Sequence, residues 1–305
     1  MRNAFASELE KIMENENAFL LTGDLGFSVF ERIRERFPKQ YLNMGVAEQN
    51  MLGVASGMAL SGKDVFVYSI IPFIVYRPFE QLRNDICYQN APVRLVGVGA
   101  GFSYADAGFT HHAIEDYGVL NSLPNLTILS PADPLEVSEQ MKQLHGIKTP
   151  TYMRLSRNGE PVLHDRYKNL KIGKALEISN GDDVLLIATG SILGKAIRVS
   201  NLLENDGYSV EILNYHTIKP FDTQTLIKCS RDKKLLVTIE EHLTFTGLYS
   251  IVTQSLVAHG MNMKTLQFGI NEPYVSKSGS RDFLQSQYGL DENSIYRKIK
   301  MALEQ

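Results

Sequence analysis

Hydrophobic and polar positions change rhythm repeatedly along this chain. Residues 18–21, 65–68, 93–98, 126–129 and 151–155 are short aliphatic and β-branched runs without polar alternation. Such runs predict strands buried on both faces. Residues 47–60, 79–89 and 134–144 between them carry apolar positions at helical spacing. Strands separated by helices imply crossover connections and a mostly parallel sheet. The first residues place Phe5, Leu9, Ile12 and Met13 on one face with acids between, an amphipathic helix and not an export signal.

The rhythm breaks between Arg157 and Asp183, where turn-forming and polar residues dominate. A second set of strands is predicted at 184–188, 210–213, 235–239 and 265–268. Helices at 194–203, 223–228, 247–259, 281–288 and 294–303 separate or follow them. The expected architecture is α/β: two successive three-layer domains with mostly parallel sheets, at 1–160 and 183–305, joined by a linker at 161–182.

Composition narrows the function without choosing it. The chain has 305 residues, 31 Lys+Arg against 34 Asp+Glu, and a formal net charge of −3, so no electrostatic footprint for nucleic acid is expected. Cys87 and Cys229 lack metal-knuckle spacing and read as thiols of a reducing, cytoplasmic compartment. Apolar stretches such as 51–60 and 65–75 fall short of the roughly 18 residues that span a bilayer.

Candidate chemistry concentrates in the first half. Glu48 lies in the first turn of a helix otherwise so apolar that it must be buried. A helix-terminal acid favoured by the macrodipole is the plain reading, and a functional carboxyl the sharper one. Phe73 and Tyr76, three apart after a strand, suit either a core or a ligand wall. The glycine-rich loop after strand 93–98 carries adjacent His111 and His112, at the carboxyl end of a buried strand where α/β folds place chemistry.

Four segments together resemble one family: Gly45-Val-Ala-Glu48-Gln-Asn-Met, Pro72-Phe-Ile-Val-Tyr76-Arg, Gly108-Phe-Thr-His111-His-Ala-Ile-Glu-Asp and Pro131-Ala-Asp-Pro-Leu-Glu136. Their order and spacing resemble the thiamine-diphosphate enzymes of the transketolase group. The resemblance covers the whole chain and corresponds to the pyrimidine-binding and C-terminal domains of a full-length enzyme. The family's Gly-Asp-Gly motif, which holds Mg²⁺ and the cofactor's diphosphate, does not occur in this sequence. The resemblance therefore implies the C-terminal subunit of a split enzyme. A separate N-terminal diphosphate-binding subunit would carry the Mg²⁺, in a heterotetramer with two copies of this chain.

Residue by residue, the resemblance implies roles for this chain. Glu48 matches the acid that hydrogen-bonds N1′ of the aminopyrimidine, and apolar surroundings favour the neutral form of a carboxyl. Phe73 matches the ring that stacks on the aminopyrimidine, Tyr76 a neighbouring wall, and Asp24 an acid at the strand end beside the cofactor. As a turn aspartate, Asp24 has a plain reading nearly as good. His111 matches a substrate-facing histidine, His112 beside it is expected to bind substrate as well, and Arg157 and Arg2 match arginines that grip a sugar phosphate. Glu240-Glu-His242 resembles a C-terminal segment that supports assembly, so His242 is read as structural.

The departures are specific. Ala107 stands where the family has an acid that reads a sugar hydroxyl, Phe109 replaces a proline, and Gly99 replaces a histidine that contacts the donor's first hydroxyl. Loss of polar readers points to a deoxy, branched or otherwise modified sugar, because a buried hydroxyl without partners is disfavoured. Three functions follow: a transketolase subunit; a 2-oxo-acid dehydrogenase beta subunit or deoxyxylulose-phosphate-synthase-like component; or a non-catalytic assembly subunit.

Overall fold

The computed structural model describes residues 1–157, 159–272 and 274–305. Among them, strands β1 (Ala18–Thr22), β2 (Tyr41–Asn43), β3 (Asp64–Ile70), β4 (Val93–Val98), β5 (Thr127–Leu129) and β6 (Thr151–Leu155) belong to the first half of the chain. The later strands are β7 (Leu176–Ser179), β8 (Val184–Ala188), β9 (Val210–Asn214), β10 (Thr217–Lys219), β11 (Leu235–Leu243) and β12 (Thr265–Ile270). One sheet runs β10-β5-β6-β4-β3-β1-β2 and the other β12-β11-β8-β9-β7. All pairings are parallel except β10 with β5 and β7 with β9. The expected α/β class with mostly parallel sheets is therefore what the chain forms.

Continuous apolar strands are buried because helices cover both faces. Met51, Leu52, Ala55 and Ala59 of the helix Glu48–Leu60 pack with Val65, Val67, Val93 and Leu95 on one side of the first sheet. On the other side, Phe5 and Leu9 of the helix Arg2–Ile12 and Val137 and Met141 of the helix Pro134–Leu144 meet Phe66, Tyr68 and Val96. Each fully buried aliphatic side chain contributes about 1.5–3 kcal/mol, so this packing fixes the strand ends on which the site is built.

Four local features depart from the sequence reading. Tyr41–Asn43 forms the short strand β2 beside β1, after which Gly45, at φ +70°, turns the chain into the helix that starts at Glu48. Within the helix expected over 79–89, Leu82–Tyr88 takes wider π-type turns. The stretch expected as linker contains β7, which pairs with β9. Strand β10 comes from the second half of the chain yet extends the first sheet, with Thr217 opposite Leu129 and Lys219 opposite Ile128. Cys87 and Cys229 are buried free thiols. No helix among the described residues is long and apolar enough to cross a membrane.

Candidate functional site

The candidate residues gather because they follow the carboxyl ends of neighbouring parallel strands. Asp24 follows β1, Glu48 follows β2, Phe73 follows β3, the His111 loop follows β4, and Arg157 follows β6. In the order β6-β4-β3-β1-β2 these ends form one edge of the sheet, the edge at which open α/β sheets bind ligands. Arg2 reaches the same edge from the first turn of the helix Arg2–Ile12.

Glu48 is 3% exposed. Its two carboxylate oxygens accept from Nη1 of Arg77 at 3.2 and 3.1 Å. The same guanidinium lies over the Phe73 ring, its central carbon 3.9 Å from the ring centroid. Ser69 Oγ is buried with no hydrogen-bond partner, and the empty side of Gly23 lies about equally near it and the Glu48 carboxylate. A buried acid, an unengaged hydroxyl and an aromatic face covered by a planar nitrogenous group suit a flat, hydrogen-bonding heterocycle. An aminopyrimidine fits these residues.

From Phe73 the aromatic surface continues. The His111 ring meets Phe73 edge to face at 5.2 Å between centroids, and Tyr104 stands 6.2 Å beyond His111. Thr110 Oγ1 lies 2.9 Å from His111 Nδ1. Arg157 places its guanidinium 4.9 Å from the Tyr104 centroid, and Arg2 lies near enough for its positive charge to act on the Tyr68 and Tyr104 hydroxyls. Burial raises the Tyr104 hydroxyl above its ordinary pKa, against both arginines. Glu48, Phe73, His111, Tyr104 and Arg157 thus form a continuous line, with Arg2 near its far end.

Other candidates sit beside this line or behind it. Tyr76 is 37% exposed and donates from its hydroxyl to Glu115 Oε2 at 3.0 Å. Asp24 is exposed at φ +57° and tied to Asn43, whose Nδ2 donates to Asp24 Oδ1 at 2.8 Å while its Oδ1 accepts from the Asp24 amide at 3.1 Å. His112, expected to face substrate with His111, points inward instead. It is 2% exposed, packs edge-on against Phe102, and donates from Nε2 to the Ala105 carbonyl at 3.1 Å. Burial holds it below the usual histidine pKa, as an uncharged loop anchor.

The departures acquire physical reasons. A side-chain carbon at Gly99, where φ is +102°, would lie 2.4 Å from Tyr104, so the tyrosine ring takes the space that a side chain at this position would need. Phe109 leaves the loop to meet the Tyr274 ring, 4.9 Å away, in the second half of the chain. The loop itself is clamped. Gly101 and Ala113 exchange backbone hydrogen bonds at 2.9 and 3.0 Å, and buried Arg154 bonds the Ala113 and Glu241 carbonyls while pairing with buried Asp116 at 2.9 Å. Tyr117 donates to Glu240 and stacks on His242, which is fully buried, as its structural reading expects.

Residues 1–160 match the family described as transketolase, pyrimidine binding domain, and residues 173–295 match transketolase, C-terminal domain. The chain belongs to the transketolase family. Like its relatives there, it carries the pyrimidine-binding domain of enzymes that use thiamine diphosphate, and it is a transketolase-like subunit of a transferase family. It is 33% identical to a putative transketolase C-terminal section of Methanocaldococcus jannaschii, over 98% of this chain and 95% of that one. It is 31% identical to a subunit of the apulose-4-phosphate transketolase of Phocaeicola vulgatus, over 97% and 94% respectively. A solved structure described as a split gene transketolase, inactive beta4 tetramer, superposes with a TM-score of 0.88 at 30% identity, covering 99% of this chain and 97% of the other. A 1-deoxy-D-xylulose-5-phosphate synthase of Gloeobacter violaceus is 30% identical, but the match spans only 48% of that protein.

Sequence reasoning missed four residues of this cluster and its support. Arg77, between Tyr76 and Pro78, carries no signal of its own beyond a position four residues after Phe73, within reach of an aromatic face. Tyr104 carries no motif. The Arg154–Asp116 pair is invisible because it depends on the packing of β6 against the histidine loop. Among the described residues no group of three or more His, Cys, Asp or Glu is arranged to hold a metal.

Proposed function

We propose that this chain is the C-terminal subunit of a split transketolase that moves a two-carbon ketol unit between sugar phosphates. A separate subunit supplies the diphosphate and Mg²⁺ site, and two copies of each chain assemble. The line from Glu48 through Phe73 and His111 to Arg157 carries the reading, because it sets an acid, a stacking face, a proton donor and a phosphate-binding cation in working order along one edge.

Bound thiamine diphosphate supplies the nucleophilic carbon for ketol transfer. Glu48, itself almost wholly buried, would hold a proton at N1′ of the aminopyrimidine. Phe73 stacks on that ring, contributing about 0.5–1.5 kcal/mol beyond buried area, and Tyr76 walls it. Asp24 frames the neighbouring strand end. His111 donates a hydrogen bond to the sugar oxygen on which charge develops. Arg157 and Arg2 bind the phosphate end, and His112 supports the loop from within.

Sugar choice follows from the missing polar readers. With Tyr104 over Gly99 and Ala107 in place of an acid, the pocket favours a branched or otherwise modified sugar phosphate. Support comes from the relative named for apulose 4-phosphate and from another named for 6-deoxy-6-sulfo-D-fructose.

The test is reconstitution with the diphosphate-binding partner, assaying ketose plus aldose phosphate against a 2-oxo acid. Ketol transfer is expected, with Glu48→Gln lowering kcat at least 100-fold while the complex still assembles. Near-normal turnover in that variant overturns the assignment; activity confined to the 2-oxo acid overturns the reaction class.

A further inference from the structure

One guanidinium touches both halves of the surface assigned to the aminopyrimidine. Arg77 Nη1 bonds both oxygens of Glu48, and the plane of the group covers Phe73 at 3.9 Å. A heterocycle that hydrogen-bonds the same acid and stacks on the same ring face requires the same volume. We propose that Arg77 is the site's own occupant, holding the aminopyrimidine position until the cofactor displaces it. This rests on the functional reading above.

The physical chemistry supports exchange over permanent occupancy. Guanidinium is flat, delocalised and rich in N–H donors, so it satisfies a carboxylate and an aromatic face as an aminopyrimidine does. Its side chain is 45% exposed and has a flexible stem, whereas Glu48 is 3% exposed and fixed at a helix start. Arg77 can therefore leave by side-chain rotation alone when an incoming group takes over its contacts, while the acid and the ring stay in register. Until an incoming group takes its place, the arginine also gives a buried carboxylate its counter-charge, and a lone buried charge is costly. The apparent affinity for cofactor is then reduced by the fraction of molecules in which the arginine has left.

Calorimetry on the full chain can test this with 4-amino-5-hydroxymethyl-2-methylpyrimidine, the pyrimidine half of thiamine, which needs neither turnover nor the partner. Arg77→Met is expected to tighten its Kd about tenfold relative to the native chain, with Arg77→Lys in between. Should the methionine variant fail to fold, Arg77→Gln takes its place. Unchanged or weaker binding overturns the proposal, as does no binding by the variant at millimolar probe. Adding Glu48→Gln separates the two readings. If Glu48→Gln abolishes probe binding but the Arg77 variants bind no tighter than the native chain, the site stands and the displaced arginine falls. If binding ignores Glu48, the site assignment itself falls.

Discussion

Gly99 and Tyr104 show how one residue's absence of a side chain fixes another's position. The glycine adopts φ +102° and leaves room for a ring that any β-carbon would strike at 2.4 Å. Two costs add on substitution, a backbone conformation L-residues avoid and an overpacked contact. Gly99→Ala is therefore expected to lose about 2–3 kcal/mol, seen as a lowered Tm. It should also push Tyr104 away from Arg157, raising KM for a phosphorylated sugar more than it lowers kcat. A variant as stable as the native chain would show that the ring yields freely and that its position is not set by the glycine.

At the scale of elements, the histidine loop is held by a buried charge pair between β6 and the helix Asp116–Leu120. Arg154 is 4% exposed and Asp116 fully buried, with Tyr152 donating to the same carboxylate at 2.7 Å. Removing one partner strands the other charge, so Asp116→Asn is expected to cost about 3–5 kcal/mol. In a double-mutant cycle, Asp116→Asn with Arg154→Met should recover part of that loss, as measured by urea unfolding; strict additivity would rule out the coupling. The elements themselves were largely legible. Long apolar runs such as Val93–Val98 and Val184–Ala188 announce buried strands, and the apolar positions of Glu48–Leu60 announce a buried helix. The strands β2, β7 and β10 were not legible, because three or four residues carry too little periodicity and their pairing is decided by distant partners. In the site, Glu48, Phe73 and His111 announced themselves through motifs. His112 misled because adjacency in sequence says nothing about which side of a loop a ring takes. Arg77 stayed hidden because its ion pair with Glu48 exists only once the turn after Ile71–Val75 packs against the start of the helix Glu48–Leu60.

Over the whole molecule, the interface between the two halves is a store of buried titratable groups. Burial raises Glu240 to about 7, although the Tyr117 hydroxyl and the amides of Leu248 and Tyr249 all donate to it and Arg154 lies near. Its neighbour His242, facing Asp116, Arg154 and Glu240, is pushed down to about 4 by the same burial. The signs differ. Unfolded Glu240 ionises near 4.5 while the folded group keeps its proton to about 7, so its stabilising share is present at low pH and is lost as pH rises through that window. Unfolded His242 takes a proton near 6.5 and the folded ring only near 4, so its share is lost as pH falls between those values. Comparing the native chain with Glu240→Gln isolates the first effect: the native advantage in Tm should shrink from pH 4.5 to 7 and level off above. A difference that is flat across this range would mean that Glu240 is already ionised in the folded chain.

Strand β10 carries a consequence for how the polypeptide divides. The outermost member of the first sheet is lent by residues that come after the second sheet has begun, and its hydrogen bonds to β5 close an otherwise bare rim. Cutting the chain between its two matched segments would leave that rim unpaired, an adhesive border open to another molecule. The halves are legible as separate modules in sequence, yet in space they are stitched together.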